Sequence, residues 1–436
     1  MKKKVFSGLI VLTLVAAFIL SACTTTGGPT EPTETETSPP TKDKIVIGAA
    51  RPMSGANAQI AQAAFDPIME MWQEEVNAEG GIYVEEYGKK LPIEYKIYDD
   101  KTDVGTMVRL TEKLIVEDKV DILFPSCGTA FISAQAPIAN KYGYVLLTAE
   151  GGATTMTEGL PALPYVFVSL PYSDNYQLPV LADMLAAQGA ETAYIVFIGD
   201  LHGIEYNGVA STEFGRVGID IVASKSVPIT QEDFSVIMKD AKAADADVFC
   251  AFGYPPIVSG CTKEAISIGF NPDAFVAGPG GNFGYYPAAL AGVEDPSGVN
   301  GVTVFAAANR KTSPEFKELY DKLEGMENVG AMNLDFWGHP YYAPIVEIWQ
   351  QAIEETGTLD QDTLRDYIAT NHFDTILGDT YFEIFGNGGG LLAKESHPGE
   401  IGQWQDGVVE IVGGGDWPAT TLTGEFIYPK PEWPTK

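Results

Sequence analysis

Two short stretches of this 436-residue chain combine side chains and backbone suited to holding an anion. In FPSCGTAFISAQAPIA, which starts at residue 124, Ser126, Cys127, Gly128 and Thr129 follow an apolar run and precede a helical pattern. The free N–H groups and the dipole at a helix start favour negative charge, so a carboxylate fits there. Thr129 also suits an ordinary N-cap, and this segment alone does not choose between the two readings. In TAEGGATTMT the next apolar run ends, placing Ala149, Glu150, Gly151 and Gly152 beside the first cradle. Two later runs end at Gly253 and Gly278, delivering Tyr254 and the segment GPGGNFGYY. Glycine lets backbone approach a ligand closely, and tyrosine offers a flat face with a polar tip.

Bond-making chemistry finds no comparable support. There is no GxSxG elbow, no Walker A sequence and no well-placed GxGxxG, since GPGGNFG at 278–284 has the wrong glycine spacing and ends a late run. His202, His339, His372 and His397 lie far apart and form no HExxH or HxH pattern, so they read as surface or packing residues. Beyond Cys23, the cysteines Cys127, Cys250 and Cys261 are an odd number without metal-ligand spacing; pairing of Cys250 with Cys261 is left open. The acid pairs Asp99–Asp100 and Glu85–Glu86 read as solvated charges. No catalytic residue, metal site or cofactor is expected.

The elements that must carry these loops alternate regularly. Strand-like runs start at residues 44, 91, 120, 144, 165, 192, 220, 247, 274 and 301, with helical stretches between. Spacing of roughly 25 residues is that of βα units, which build parallel sheets with helices on both faces. The expected fold is therefore α/β and doubly wound. Apolar stripes such as Met107, Leu110, Leu114 and Ile115, or Ile345, Ile348, Trp349, Ala352 and Ile353, mark buried helix faces. After residue 306 helices dominate (Ser313 to Glu324, Ala343 to Thr356, Gln361 to Thr370), and β-like pieces around Thr380–Ile384 and Gly402–Val412 end the chain.

The N-terminus reads as export machinery. Lys2, Lys3 and Lys4 precede an apolar run from Val5 to Leu20, and Leu20-Ser21-Ala22-Cys23 matches the lipobox of bacterial lipoproteins, with Cys23 as the lipid attachment site. Thr24 to Thr41 holds eight Thr, four Pro and three Glu and no apolar side chain for a core, which suits a disordered tether. As a flexible coil it spans about 20–25 Å, enough to hold a domain just off a membrane. The formal charge of −32 disfavours nucleic acid and anionic lipid as partners.

Taken together, MSGANAQ from 53, NAEGGI from 77, YDDKTD from 98, FPSCGTAFISAQAPIA from 124, FGYPP from 252, AGPGG from 277 and FDTILGDTYFE from 373 resemble the type I periplasmic binding proteins. The similarity is to the leucine/isoleucine/valine-binding group of the hydrophobic amino acid and amide ABC transporters, over nearly all of residues 44 to 430. The resemblance implies two doubly wound lobes joined by a three-strand hinge, crossed near 165, 305 and 390. The implied layout is a signal peptide at 1–22, lipidated Cys23 and tether at 23–43, lobe one at 44–165 with 306–390, and lobe two at 166–305 with 391–436.

The resemblance also implies ligand contacts: a carboxylate loop at Gly128 and Thr129, a neighbouring loop at Ala149, Glu150 and Gly151, and lobe-two contacts at Tyr172, Tyr254 and Gly280. Trp337 takes the place of an aromatic wall. Gly280 departs from the group, whose amino-acid binders commonly carry a glutamate there for the ligand ammonium; Glu150 and Asp200 remain as acids to replace it. Zwitterionic leucine-like ligands are therefore expected to bind poorly. The implied function is an extracytoplasmic, membrane-anchored solute receptor that passes a small carboxylate-bearing molecule to the permease and ATPase of an ABC importer. A sensor of the same fold is the alternative, and an extracellular enzyme ranks last.

Overall fold

The computed structural model describes residues 41–151, 154–170, 176–290, 296–396, 399–414 and 421–434. Cys23, the signal and tether segments up to residue 40, and Tyr172 lie outside the described residues. Those described belong to one unit, Pro40–Lys436. Its strands are β1 (Ile45–Arg51), β2 (Ile82–Val84), β3 (Lys89–Leu91), β4 (Ile93–Asp99), β5 (Ile122–Phe124), β6 (Leu146–Thr148), β7 (Val166–Val168), β8 (Thr192–Ile198) and β9 (Asp220–Val227). They continue with β10 (Val248–Phe252), β11 (Ala274–Ala277), β12 (Val302–Phe305), β13 (Phe373–Thr375), β14 (Gly378–Thr380), β15 (Phe382–Ile384), β16 (Gly390–Leu392), β17 (Ile401–Gln405) and β18 (Val408–Gly413).

Two seven-stranded sheets form, in the orders β15-β16-β7-β6-β5-β1-β4 and β18-β17-β12-β11-β10-β8-β9. In each, the first βα strand lies inside the second, so the order reverses beside β1 and again beside β8. Ligands of open α/β sheets sit at that reversal, beyond the carboxyl ends of the strands. Central strands such as β5, β6, β10 and β11 are buried at every residue, which is why they read as unbroken apolar runs. Pairing is parallel through both interiors, with antiparallel partners only at β15–β16, β12–β17 and β17–β18. The fold is thus the two-lobed, doubly wound α/β arrangement.

Val166–Val168 is a difference from expectation: assigned from sequence to the second lobe, it pairs instead with β6 in the first sheet. Leu391, likewise expected in lobe two, pairs with Val168. Ladder hydrogen bonds, rather than the start of an apolar run, decide membership, so the crossings follow 168, 305 and 392. The helix expected from Ala343 begins at Gly338 and runs to Thr356. Pro340 sits in its first turn, where a missing N–H costs nothing, and Pro344 is carried inside it. The stripe Ile345, Ile348, Trp349, Ala352 and Ile353 is fully buried. No helix among the described residues is long and apolar enough to cross a membrane.

Candidate functional site

The strand ends of both sheets face one cavity, where the ligands of open α/β sheets sit. From the first sheet come Cys127, Gly128 and Thr129 after β5, Ala149, Glu150 and Gly151 after β6, and Leu170 after β7. From the second come His202 after β8, Tyr254 and Pro255 after β10, and Gly280, Asn282 and Phe283 after β11. Asp335 and Trp337, just ahead of the Gly338–Thr356 helix, complete the wall. Every ligand-contact residue expected from sequence and described here lines this cavity.

At the first cradle Gly128, not Thr129, is the N-cap of the Thr129–Tyr142 helix, and it brings no side-chain cap. That displaces the ordinary N-cap reading for Thr129, which is the first helical residue and is buried. Gly128 adopts φ +109°, and a Cβ there would stand 3.0 Å from Asn57 Nδ2 and 3.9 Å from the Tyr254 hydroxyl oxygen. Only glycine serves at such a backbone position. The loop is pinned from outside: Ser126 Oγ donates to Asp100 at 2.7 Å, Asn57 Nδ2 donates to the Cys127 carbonyl at 3.0 Å, and Gly128 N–H donates to the Glu150 carbonyl at 2.9 Å. Asp100 is therefore no solvated charge but a fully buried brace.

Glu150 lines the cavity, yet its carboxylate is committed to Arg51, which also reaches Asp66 and the Pro125 carbonyl. Burial pushes the Glu150 carboxyl up to about 7, against the pull of Arg51. Asp200 caps the Leu201–Val217 helix by accepting from Gly203 N–H at 3.0 Å, and it is hydrogen-bonded to Tyr254. Neither acid offers an uncommitted carboxylate to a ligand ammonium. Asp335, overlooked in the sequence, is the further acid on the wall. It accepts from Asn282 Nδ2 at 2.6 Å and Trp337 N–H at 2.9 Å, and burial pushes its carboxyl up to about 6. Its carboxylate also accepts from the Gly338 N–H at the start of the helix.

Gly280 explains the missing glutamate. Its φ is +125°, and a Cβ would lie 3.0 Å from Pro255 N and 3.1 Å from the Gly253 carbonyl oxygen. Its N–H donates to Asn282 Oδ1 at 2.7 Å, so Asn282 couples this turn to Asp335.

His202 packs as expected, its ring stacked on Tyr254 at 5.2 Å and 5°, and it also lies on the cavity wall, which the sequence did not show. Burial lowers its basicity. His339 is packed as expected, bridging the Asp335 N–H and the Ala63 carbonyl, and His372 pairs with Asp379 at the surface; His397 lies outside the described residues. Cys127, Cys250 and Cys261 are all free and buried, so the Cys250–Cys261 disulfide is not formed. Among the described residues no cluster of His, Cys, Asp or Glu is placed to hold a metal ion.

Comparison with known proteins agrees with this geometry. Residues 44–407 match the family described as "Periplasmic binding protein". The chain is 24% identical over 260 residues to Leu/Ile/Val-binding protein homolog 7 of Brucella abortus, a match spanning 58% of this chain and 62% of that relative's length. Among solved structures, the branched-chain amino acid substrate-binding protein LivJ of Streptococcus pneumoniae, in complex with isoleucine, superposes with TM-score 0.70 at 18% identity, covering 85% of this chain and 100% of that one. A solute-binding protein of an R. palustris ABC transporter, in complex with benzoate, gives TM-score 0.71 at 16% identity, covering 88% and 99%. With the family matched along most of its length and the fold shared with such structures, the chain belongs to the periplasmic binding proteins of type I fold, a family of solute binders and not of enzymes.

Proposed function

We propose that this protein is the receptor of an ABC importer: a lipoprotein, held to the outer face of the cell membrane through Cys23 and the Thr/Pro/Glu tether, that captures a small carboxylate-bearing solute and presents it to a permease and its ATPase. The observation carrying this reading is the helix N-terminus at Gly128–Thr129, without a side-chain cap, opening onto an otherwise mainly apolar cavity. Backbone N–H groups and the helix dipole favour an anion there. No Lys or Arg side chain lines the cavity among the described residues, so the backbone N–H groups, with the Thr129 hydroxyl, are what receives the charge.

The walls suit an apolar body, with Leu170 and Phe283 beside Tyr254 and Trp337. The isoleucine and benzoate of the two similar structures share this chemistry of a carboxylate on an apolar frame. The lobes, divided where the chain crosses between sheets, close over the solute as a population shift driven by contacts to both. A thermal-shift comparison of amino, aliphatic and aromatic acids with their methyl esters tests the reading, since a ligand that binds the folded state raises its melting temperature. Acids stabilise and esters do not; equal stabilisation by the esters refutes the anion cradle.

A further inference from the structure

The polar side chains of the cavity wall can be accounted for one by one. Asn57, Glu150, Tyr254, Asn282 and Asp335 each have a hydrogen-bonding partner within the protein. Two polar atoms do not: Trp337 Nε1 and His202 Nε2 are shielded from solvent and have no hydrogen-bonding partner among the described residues. Both side chains line the same cavity, His202 in the Leu201–Val217 helix after β8 and Trp337 just ahead of the Gly338–Thr356 helix. Buried polar groups are nearly always paired, because leaving one unpaired forfeits its hydrogen bond to water with nothing in return. Two such atoms on one cavity wall are explained when the bound molecule supplies what they lack.

Resting on the reading that the cavity holds a small carboxylate, we infer that the solute carries at least one further oxygen, a hydroxyl or carbonyl, received by Trp337 Nε1–H and His202 Nε2. The indole N–H only donates, so the solute must present an acceptor to it. Neutral imidazole Nε2 donates or accepts according to tautomer, which a hydroxyl can match in either sense. The stack of His202 on Tyr254 and the backbone hydrogen bond from Trp337 to Asp335 hold the two rings in place before the solute arrives. Discrimination against the unsubstituted acid follows, because that acid leaves both atoms unpaired in the complex. The inferred class is an oxygenated carboxylic acid with an apolar frame.

The test is calorimetry on the full chain with two matched pairs: benzoate against para-hydroxybenzoate, and isocaproate against alpha-ketoisocaproate. The oxygenated member of at least one pair binds at least about tenfold more tightly, the worth of one hydrogen bond. In Trp337→Phe, which keeps a ring but loses the N–H, or in His202→Leu, that preference collapses to within about twofold, read as the ratio of the two acids' affinities for the same variant, whatever happens to the affinity of each. As a second measurement, the Trp337 indole N–H resonance, assigned by its loss in Trp337→Phe, moves with the oxygenated acid and not with its parent. Equal affinities within both pairs, or a preference retained in both variants, overturn this inference alone. Absence of binding by all four acids, with Thr129→Ala also without effect on any acid that stabilises the protein, overturns the carboxylate reading and this inference with it.

Discussion

Arg51 grips the carboxylate of Glu150 with both terminal nitrogens of its guanidinium, and neither side chain is more than 1% exposed. The pair joins the end of β1 to the loop after β6, and Arg51 Nη1 also donates to the Pro125 carbonyl at 2.9 Å, at the loop after β5. One buried cation thus braces both loops of the anion cradle. Removing it leaves Glu150 and Asp66 without their shared partner, the kind of change that costs about 3–5 kcal/mol. Arg51→Met is expected to lower unfolding free energy by that amount in urea titrations, and Glu150→Gln placed on top of it to recover part of the loss. Stability within about 1 kcal/mol of the parent in the single variant would show that the brace is dispensable.

Gly280→Glu restores the residue type that amino-acid binders of this group commonly have, but here it should fail. At φ +125° any side chain is strained, and the Cβ meets Pro255 N and the Gly253 carbonyl at about van der Waals limits or closer. Backbone strain of this sort costs about 1–3 kcal/mol. Differential scanning fluorimetry should show a lowered melting temperature for both Gly280→Glu and Gly280→Ala, and calorimetry no gain in leucine affinity for the former. Tighter leucine binding by a fully stable Gly280→Glu protein would contradict this account.

These cases show what the sequence could convey. Glycines at strand ends betrayed the loops at Gly128, Gly151 and Gly280, because a ligand-facing turn in a doubly wound sheet needs backbone that side chains would obstruct. Crossings between sheets were legible to within a few residues, limited at Val166–Val168 by an apolar run that does not announce its partner strand. His202 and Asp335 escaped notice for a different reason. Each lies in the first turn of a helix or just ahead of it, where a polar residue is expected whether or not a ligand is near, and only the meeting of two sheets shows what it faces. Arg51, an isolated charge at the end of an apolar strand, carried a signal of another kind: such a charge is buried only when paired.

Thr129→Ala is expected to weaken carboxylate binding about ten- to a hundredfold, since a hydrogen bond to a charged group is worth about 1.5–3 kcal/mol. Calorimetry with the best acid of the thermal-shift screen measures it, with circular dichroism confirming the fold. Unchanged affinity in a folded variant would move the carboxylate elsewhere in the cavity.

Cys23→Ser is expected to shift the protein from the detergent phase to the aqueous phase in partitioning of whole-cell extracts, because lipid attached at that residue would be its anchor. Full retention in the detergent phase would assign anchoring to the apolar run from Val5 to Leu20 instead.

The last prediction concerns pH and turns on Glu347, inside the Gly338–Thr356 helix. Its carboxylate accepts from Ile376 N–H at 2.9 Å, and burial, aided by the charge of Asp374, pushes its carboxyl up from 4.5 to about 7. The folded state therefore holds this proton more tightly than the unfolded chain does. The resulting stabilisation is fully present below about pH 4.5 and is lost as pH rises through about 7. Glu150 and Asp335 shift in the same sense, and His339, held neutral with its value lowered to about 4, acts oppositely at the acid end, so the raw pH profile mixes several groups. Comparing Glu347→Gln with the parent isolates one of them, because glutamine keeps an oxygen for Ile376 and never ionises. Relative to the parent, the variant should gain about 1–3 kcal/mol of unfolding free energy between about pH 5 and about pH 8. Urea titrations of the ligand-free protein at several pH values measure the difference directly, and a gap that does not change with pH would mean that Glu347 titrates as it does in the unfolded chain.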